Sequence, residues 1–249
     1  MFPKIIKFTA VEGYVDLKEE HPQPIKFNLP EWYKKLFDKS FAQKTVKQCM
    51  PFLDTLTTGY VLKLPQDLYL HYRKKDADGN EGIWYKWAMD NVEWCDEIGL
   101  NINWRKDEQH PWQQLDGSPL LEKNGKMNIL KILNPWRIET PPGYSTLFLS
   151  PMNNSDDRFE IIPGIVDTDT YTKEVNFPIV INGHKYKEGF ETTIKKGTPY
   201  VQVIPFQRES WKMEIGSFTK KKYMQDFVFH NLNLWRRYKS YFWHKKLWK

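Results

Sequence analysis

Residues 127–206 carry a succession of short apolar or alternating segments cut by turn-forming residues, and this spacing constrains the fold more than any other feature. The segments fall at 128–133, 144–149, 159–162, 175–181, 190–194 and 200–206, each short for a helix and ordinary for a strand. Between them stand Pro141-Pro142-Gly143, Asn153-Asn154, Asn182-Gly183 and Lys196-Gly197. Those residue types supply the fixed or positive φ that a tight turn requires. Short strands at this interval predict a mainly β domain, sandwich-like or barrel-like with mostly antiparallel strands, rather than a βαβ array.

Upstream, the pattern is mixed. A strand is expected at 4–9, short helices at 31–37 and 49–56, and strands at 60–64, 68–73 and 83–89. The run from Asp76 to Gly82 has turn chemistry and would close the last two as a hairpin. Pro22, Pro24 and Pro30 interrupt regular structure between the first strand and the first helix. No composition shift marks a linker, so residues 1–126 are expected as an α+β embellishment packed on a β core at 127–215. Residues 216–249 form a third piece.

Charge sets that last piece apart. The net charge is +6, yet residues 220–249 hold nine Lys or Arg against one acid, which leaves the rest of the chain at about −2. Gly216, Ser217 and Thr219 are helix-start residues. Beyond them Tyr223, Phe227, Leu234, Tyr238 and Phe242 recur near helical spacing with cations between. A C-terminal basic amphipathic helix is therefore expected. Its contact residues would be Lys220, Lys221, Lys222, Trp235, Arg236, Arg237, Tyr238, Trp243 and Trp248. The helix could pack on its own body, dock on a protein partner or a second copy, follow a nucleic acid, or lie on an anionic membrane. The near-neutral body places the last two readings behind the first two.

Several functions lack their residues. The six histidines are scattered and Cys49 and Cys95 lie far apart, so no metal site is expected. Asp76, Asp78 and Asn80 imitate the start of a calcium loop, but Glu81 stands where glycine is needed and Trp87 where a carboxylate is needed. Neither a phosphate-cradling glycine loop nor a Gly-x-Ser-x-Gly elbow occurs. No stretch approaches the roughly 18 apolar residues of a membrane span, and the start Met1-Phe2-Pro3-Lys4-Ile5 lacks a secretory pattern. The expectation is a protein that is not secreted, with two reduced cysteines.

Two resemblances add to this reading. The segments Gly164-Ile-Val-Asp167-Thr-Asp169-Thr-Tyr171 and Lys196-Gly197-Thr-Pro-Tyr200-Val-Gln202 together resemble the β-clip superfamily of trimeric dUTPases and dCTP deaminases. That resemblance implies a β-clip fold, Asp167 as a water-activating carboxylate and Tyr171 as a base-stacking ring. It also implies Asp169, Gln202 and Ser145 as ligand contacts, with Mg²⁺ needed only if nucleotides are hydrolysed. One extra residue separates Asp169 from Tyr171, and Ser145 has no arginine before it. A glycine-rich C-terminal lid is also absent.

The second resemblance rests on Val46-Lys-Gln-Cys49-Met-Pro51, Gly59-Tyr60-Val-Leu-Lys63-Leu-Pro65 and Pro142-Gly-Tyr144-Ser-Thr-Leu147-Phe148. These are similar to a family encoded by T-even-like phages of marine cyanobacteria and by bacteria, which has no assigned activity. It implies a host-cytoplasm or virion setting. A binding or structural assembly protein with a partner-docking tail is the first functional expectation. A nucleotide-binding or nucleotide-hydrolysing protein is the alternative.

Overall fold

Alternating apolar residues pair into strands, and every pairing among the described residues is antiparallel. The computed structural model describes residues 4–10, 12–37, 44–73, 82–87, 109–124, 129–186, 188–231 and 238–249. The chain opens with β1 (Lys7–Thr9), helix α1 (Glu12–Val15), β2 (Gln23–Pro24) and helix α2 (Glu31–Lys35). Helix α3 (Met50–Thr57) leads into β3 (Tyr60–Lys63), followed by β4 (Leu68–Arg73) and β5 (Gly82–Trp87). Next come β6 (Gln109–His110), helix α4 (Pro119–Asn124), β7 (Ile129–Ile132) and β8 (Arg137–Glu139). The body closes with β9 (Tyr144–Leu149), β10 (Phe159–Ile161), β11 (Gly164–Val166), β12 (Phe177–Ile181), β13 (Phe190–Ile194) and β14 (Pro199–Gln207). Helix α5 (Lys220–Asn231) follows in the tail.

The strands form four sheets, in the orders β11-β9-β14-β3-β2, β10-β12-β7-β6, β13-β4-β5 and β1-β8. Each sheet takes strands from both sides of residue 127. The expected division at 126/127 therefore has no counterpart in the pairing. Residues 1–126 do not sit on a finished core; they supply β3, beside β14, and β4, beside β13. The physical reason is that an exposed strand edge carries unpaired N–H and C=O groups, which a distant segment of the same chain satisfies here.

One apolar core joins these sheets. Leu62, Leu64, Leu68, Leu70, Ile132, Ile138, Phe148, Phe177, Ile179 and Val203 are buried within it. Phe177 packs between Phe148 and Tyr200, with ring centroids 5.2 and 5.7 Å away. The expected hairpin at 68–89 is present as β4 against β5, from Leu68↔Trp87 to Arg73↔Gly82, while its connection (74–81) lies outside the described residues. No described helix is long and apolar enough to cross a membrane.

The tail does not behave as one helix. Thr219 caps α5, accepting from Lys222 N at 3.2 Å. Residues 208–225 are exposed throughout. Residues 232–237, with Trp235, Arg236 and Arg237, lie outside the described residues. A single wide turn at Tyr238–Phe242 follows, and the remaining residues return to the body.

Candidate functional site

The turn Pro141-Pro142-Gly143-Tyr144 enters β9. Tyr144 N donates to Pro141 O at 3.2 Å and Gly143 has φ +85°, so Pro142 and Gly143 occupy the two positions a type II turn reserves for them. Flanking β9 are β11, which ends in register Val166↔Thr146, and β14, which ends Gln207↔Tyr144. Register alone therefore brings Asp167, at the end of β11, and Arg208, at the end of β14, to the start of β9. Arg208 N donates to Gly143 O at 2.8 Å and locks that placement.

A tight turn follows Asp167, whose carbonyl accepts from Thr170 N and Tyr171 N at 3.0 and 2.9 Å. The turn carries Asp169 back over the cluster. Arg208 then grips Asp169 with both ends of its guanidinium, Nη1 to Oδ1 at 2.9 Å and Nη2 to Oδ2 at 2.5 Å. Gly143 N donates to the same carboxylate at 2.8 Å. Arg208 Nη1 also reaches Ser145 Oγ at 3.1 Å and Asp167 Oδ1 at 3.3 Å, and Ser145 Oγ donates to Asp167 Oδ1 at 2.6 Å. Underneath, the hydroxyls of Thr140, Thr168 and Thr146 form a chain with links of 2.7 and 2.8 Å.

The electrostatics follow from this geometry. The Arg208 hydrogen bonds hold the Asp169 carboxyl down at about 2, and the Gly143 N–H adds to them against partial desolvation. Asp169 in turn raises Arg208 above its ordinary value. Two carboxylates thus surround one guanidinium. Ser145 is buried and its hydroxyl is engaged, whereas the Asp167 side chain is 62% exposed. The cluster ties the 167–171 turn to the start of β9. For Arg208 to clamp a phosphate it would first have to release Asp169.

Of the residues expected at a ligand site, Asp167, Asp169 and Ser145 come together, and Tyr171 stands beside them with its side chain partly exposed. Gln202 does not join them. It lies on β14 opposite Leu149, at the far end of β9 from Ser145. It is fully buried, accepting from Met152 N at 2.9 Å and donating to Thr55 O at 3.1 Å and Thr58 O at 2.7 Å. Its amide joins the end of α3 to the loop after β9, with both N–H donors committed to the protein. Arg208 had no motif to announce it; its one sequence signal is a cation directly after a long apolar strand. Among the described residues no group of His, Cys, Asp and Glu could hold a metal ion.

The tail residues also divide. Lys220, Lys221, Lys222 and Tyr238 are exposed. Trp243 and Trp248, expected on a partner, instead touch the body. Trp243 Nε1 donates to both oxygens of Asp54, at 3.1 and 3.0 Å, and Lys246 Nζ pairs with Asp54 at 2.6 Å. Trp248 meets Tyr60 edge-on with centroids 5.8 Å apart, and its carbonyl accepts from Lys26 Nζ at 2.5 Å. A carboxylate at the exposed side of α3 is what draws the basic, aromatic terminus home. Ahead of α5, the extended arm carries Trp211, Met213 and Ile215 on alternate positions, 88%, 83% and 87% exposed. No family model and no curated protein matches the chain.

Proposed function

We propose that this protein is a binding and assembly protein, whose β body presents the arm at 209–219 and the basic helix α5 to a protein partner, in the first instance a second copy of itself. The observation that carries this reading is the alternation of Trp211, Met213 and Ile215, nearly fully exposed on a segment that packs them against none of the described residues. A soluble chain rarely leaves three large apolar side chains in water without a surface that covers them. Tyr223, Met224 and Val228, about half exposed on α5, extend the apolar surface, and Lys220, Lys221 and Lys222 give it a basic rim. The similarity to the phage-encoded family sets such assembly in a host cytoplasm or a virion. Nucleic acid and anionic membrane stand behind a protein partner, because the positive charge is confined to the tail.

Burying those three side chains would contribute about 5–9 kcal/mol at roughly 1.5–3 kcal/mol each. Association itself costs about 4–15 kcal/mol, so the arm needs the flank of α5 to hold a complex together. The test is sedimentation equilibrium of the full chain and of the triple variant Trp211→Glu, Met213→Glu, Ile215→Glu. The full chain should self-associate, and the variant should be monomeric at an unchanged melting temperature. A full chain that stays monomeric, or a variant that associates equally well, would sink the reading.

The alternative is a β-clip nucleotide-binding protein with Asp167 as base, Tyr171 as stacking ring and Mg²⁺ required for hydrolysis. The exposed Asp167 beside Ser145 is the observation in its favour. The pairing of Arg208 with Asp169 weighs against it, since that guanidinium is already committed to a carboxylate.

A further inference from the structure

The outer face of the sheet β11-β9-β14-β3-β2 carries a second apolar surface, and register fixes its membership. Residues directly opposite one another in antiparallel strands point to the same face. Ile165↔Leu147 and Leu147↔Ile204 therefore set one row of branched side chains across β11, β9 and β14. Phe206, two residues beyond Ile204 along β14, falls on that face too. The other face is the one that sends Phe148 and Val203 into the core. The row reaches water at both sides. Ile165 is 63% exposed and Phe206 37%, with Leu147 and Ile204 half-buried between them.

Polar structures bound this strip at both ends. Gln202 and Ser145 share its face, but the end of α3 bonds to Gln202 and the Arg208 cluster engages Ser145, and both are buried. The chain's own arm is led away from the strip. Arg208 N donates to Gly143 O, so the ladder of β14 runs on past the start of β9 before the arm begins. Trp211, Met213 and Ile215 stay exposed on that outgoing segment. One molecule thus displays an open apolar strip and, apart from it, an extended segment with an apolar side chain at every second position. Their dimensions agree. Residues 211–215 of an extended chain span about 13 Å, and a row across three strands spans about 10 Å.

We infer that this strip receives the arm of a second copy, with Trp211, Met213 and Ile215 of each chain lying across Ile165, Leu147 and Ile204 of the other. The inference rests on the assembly reading and names the surface that covers the arm. Every chain carries both halves of the contact, so two copies exchange arms about a two-fold axis and the assembly closes as a dimer. A side chain the size of Trp211 buries about 150–250 Å². Three large side chains and the surface beneath them, taken twice, come to on the order of 1,600–2,000 Å², the size of a stable interface. Charge suits the same docking. Asp167, two residues past Ile165, keeps a carboxylate that is 62% exposed, and the exposed Lys220, Lys221 and Lys222 follow the arm.

Ile165→Glu in the full chain tests the receiver, because it leaves the arm intact and alters a side chain that is exposed in the single copy. Sedimentation equilibrium should show a dimer for the parent and a dissociation constant raised about ten-fold or more for the variant. At a concentration that dissociates the parent, the two should melt at the same temperature. Two single-cysteine chains, Ile165→Cys and Met213→Cys, each with Cys49→Ser and Cys95→Ser, locate the contact. Mixed and treated with a short bismaleimide, they should give a covalent heterodimer in greater yield than either chain gives alone. A parent that stays monomeric would remove the assembly reading and this inference with it. A parent that dimerises would overturn the inference alone if Ile165→Glu dimerises equally well, or if the mixture cross-links no better than the separate chains.

Discussion

Replacing Gln202 by leucine tests whether that residue serves the fold or a ligand. The substitution keeps side-chain bulk and removes an amide with three partners, Met152 N, Thr55 O and Thr58 O. Gln202 is 0% exposed on the central strand β14, so its three partners lose a buried amide. An unpaired buried backbone group costs about 1–3 kcal/mol. Met152, Thr55 and Thr58 are themselves only half-buried and can recover part of their hydration. The lower half of that range therefore applies, and three groups together give a loss of about 3–6 kcal/mol. Urea unfolding at neutral pH, with an unchanged m-value, measures it. Gln202→Glu adds a control. A carboxylate still accepts from Met152 N but faces two carbonyls without a proton to offer, whereas the protonated acid donates to one of them. Its deficit should shrink at mildly acidic pH. A loss below about 1 kcal/mol for Gln202→Leu would refute the structural role and return Gln202 to the ligand site.

Two further outcomes follow from the ion pairs. Asp169 has its folded-state pKa lowered to about 2 from an ordinary 3.8, so its stabilising contribution is present above the ordinary value and is lost as pH falls from there toward 2. Asp169→Asn should flatten that part of an acid-unfolding curve and leave the curve above pH 5 with the same slope; an acid limb of unchanged steepness would show that the pair with Arg208 contributes nothing. Asp54→Ala removes the acceptor shared by Trp243 and Lys246 and should lower stability by about 1–3 kcal/mol. Trypsin should then cut after Lys245 and Lys246 several-fold faster, and an unchanged cleavage rate would mean that the terminus is not held by α3.

Local order was legible because it is encoded within a few residues. β9 and β13 occupy 144–149 and 190–194, the stretches that alternation and flanking turns marked out. Thr219, one of three candidates for the helix start, is the residue that caps α5. β11 was not readable as a strand. It is three residues long and exposed at a sheet edge, so it has no burial pattern to impose on its sequence. The same stretch instead suggested a motif, whose Asp167 and Asp169 both meet Arg208, whereas Gln202, from the second segment of that resemblance, lies at the other end of β9.

What the tertiary structure alone decided is who meets whom. The pairing of β14 with β9 brings Arg208 to Asp169, and nothing near either residue foretells it. The pairing of β3 with β14 draws the N-terminal half into the same sheet as the C-terminal half and dissolves the expected boundary. Within the tail, one composition takes two fates. Trp243 finds Asp54, 189 positions earlier, while none of the described residues covers Trp211. Strand and turn propensities act over neighbouring residues and leave their mark in the sequence. Register and docking are chosen by which buried faces and charges can be satisfied together across the whole chain, and only the folded molecule answers that.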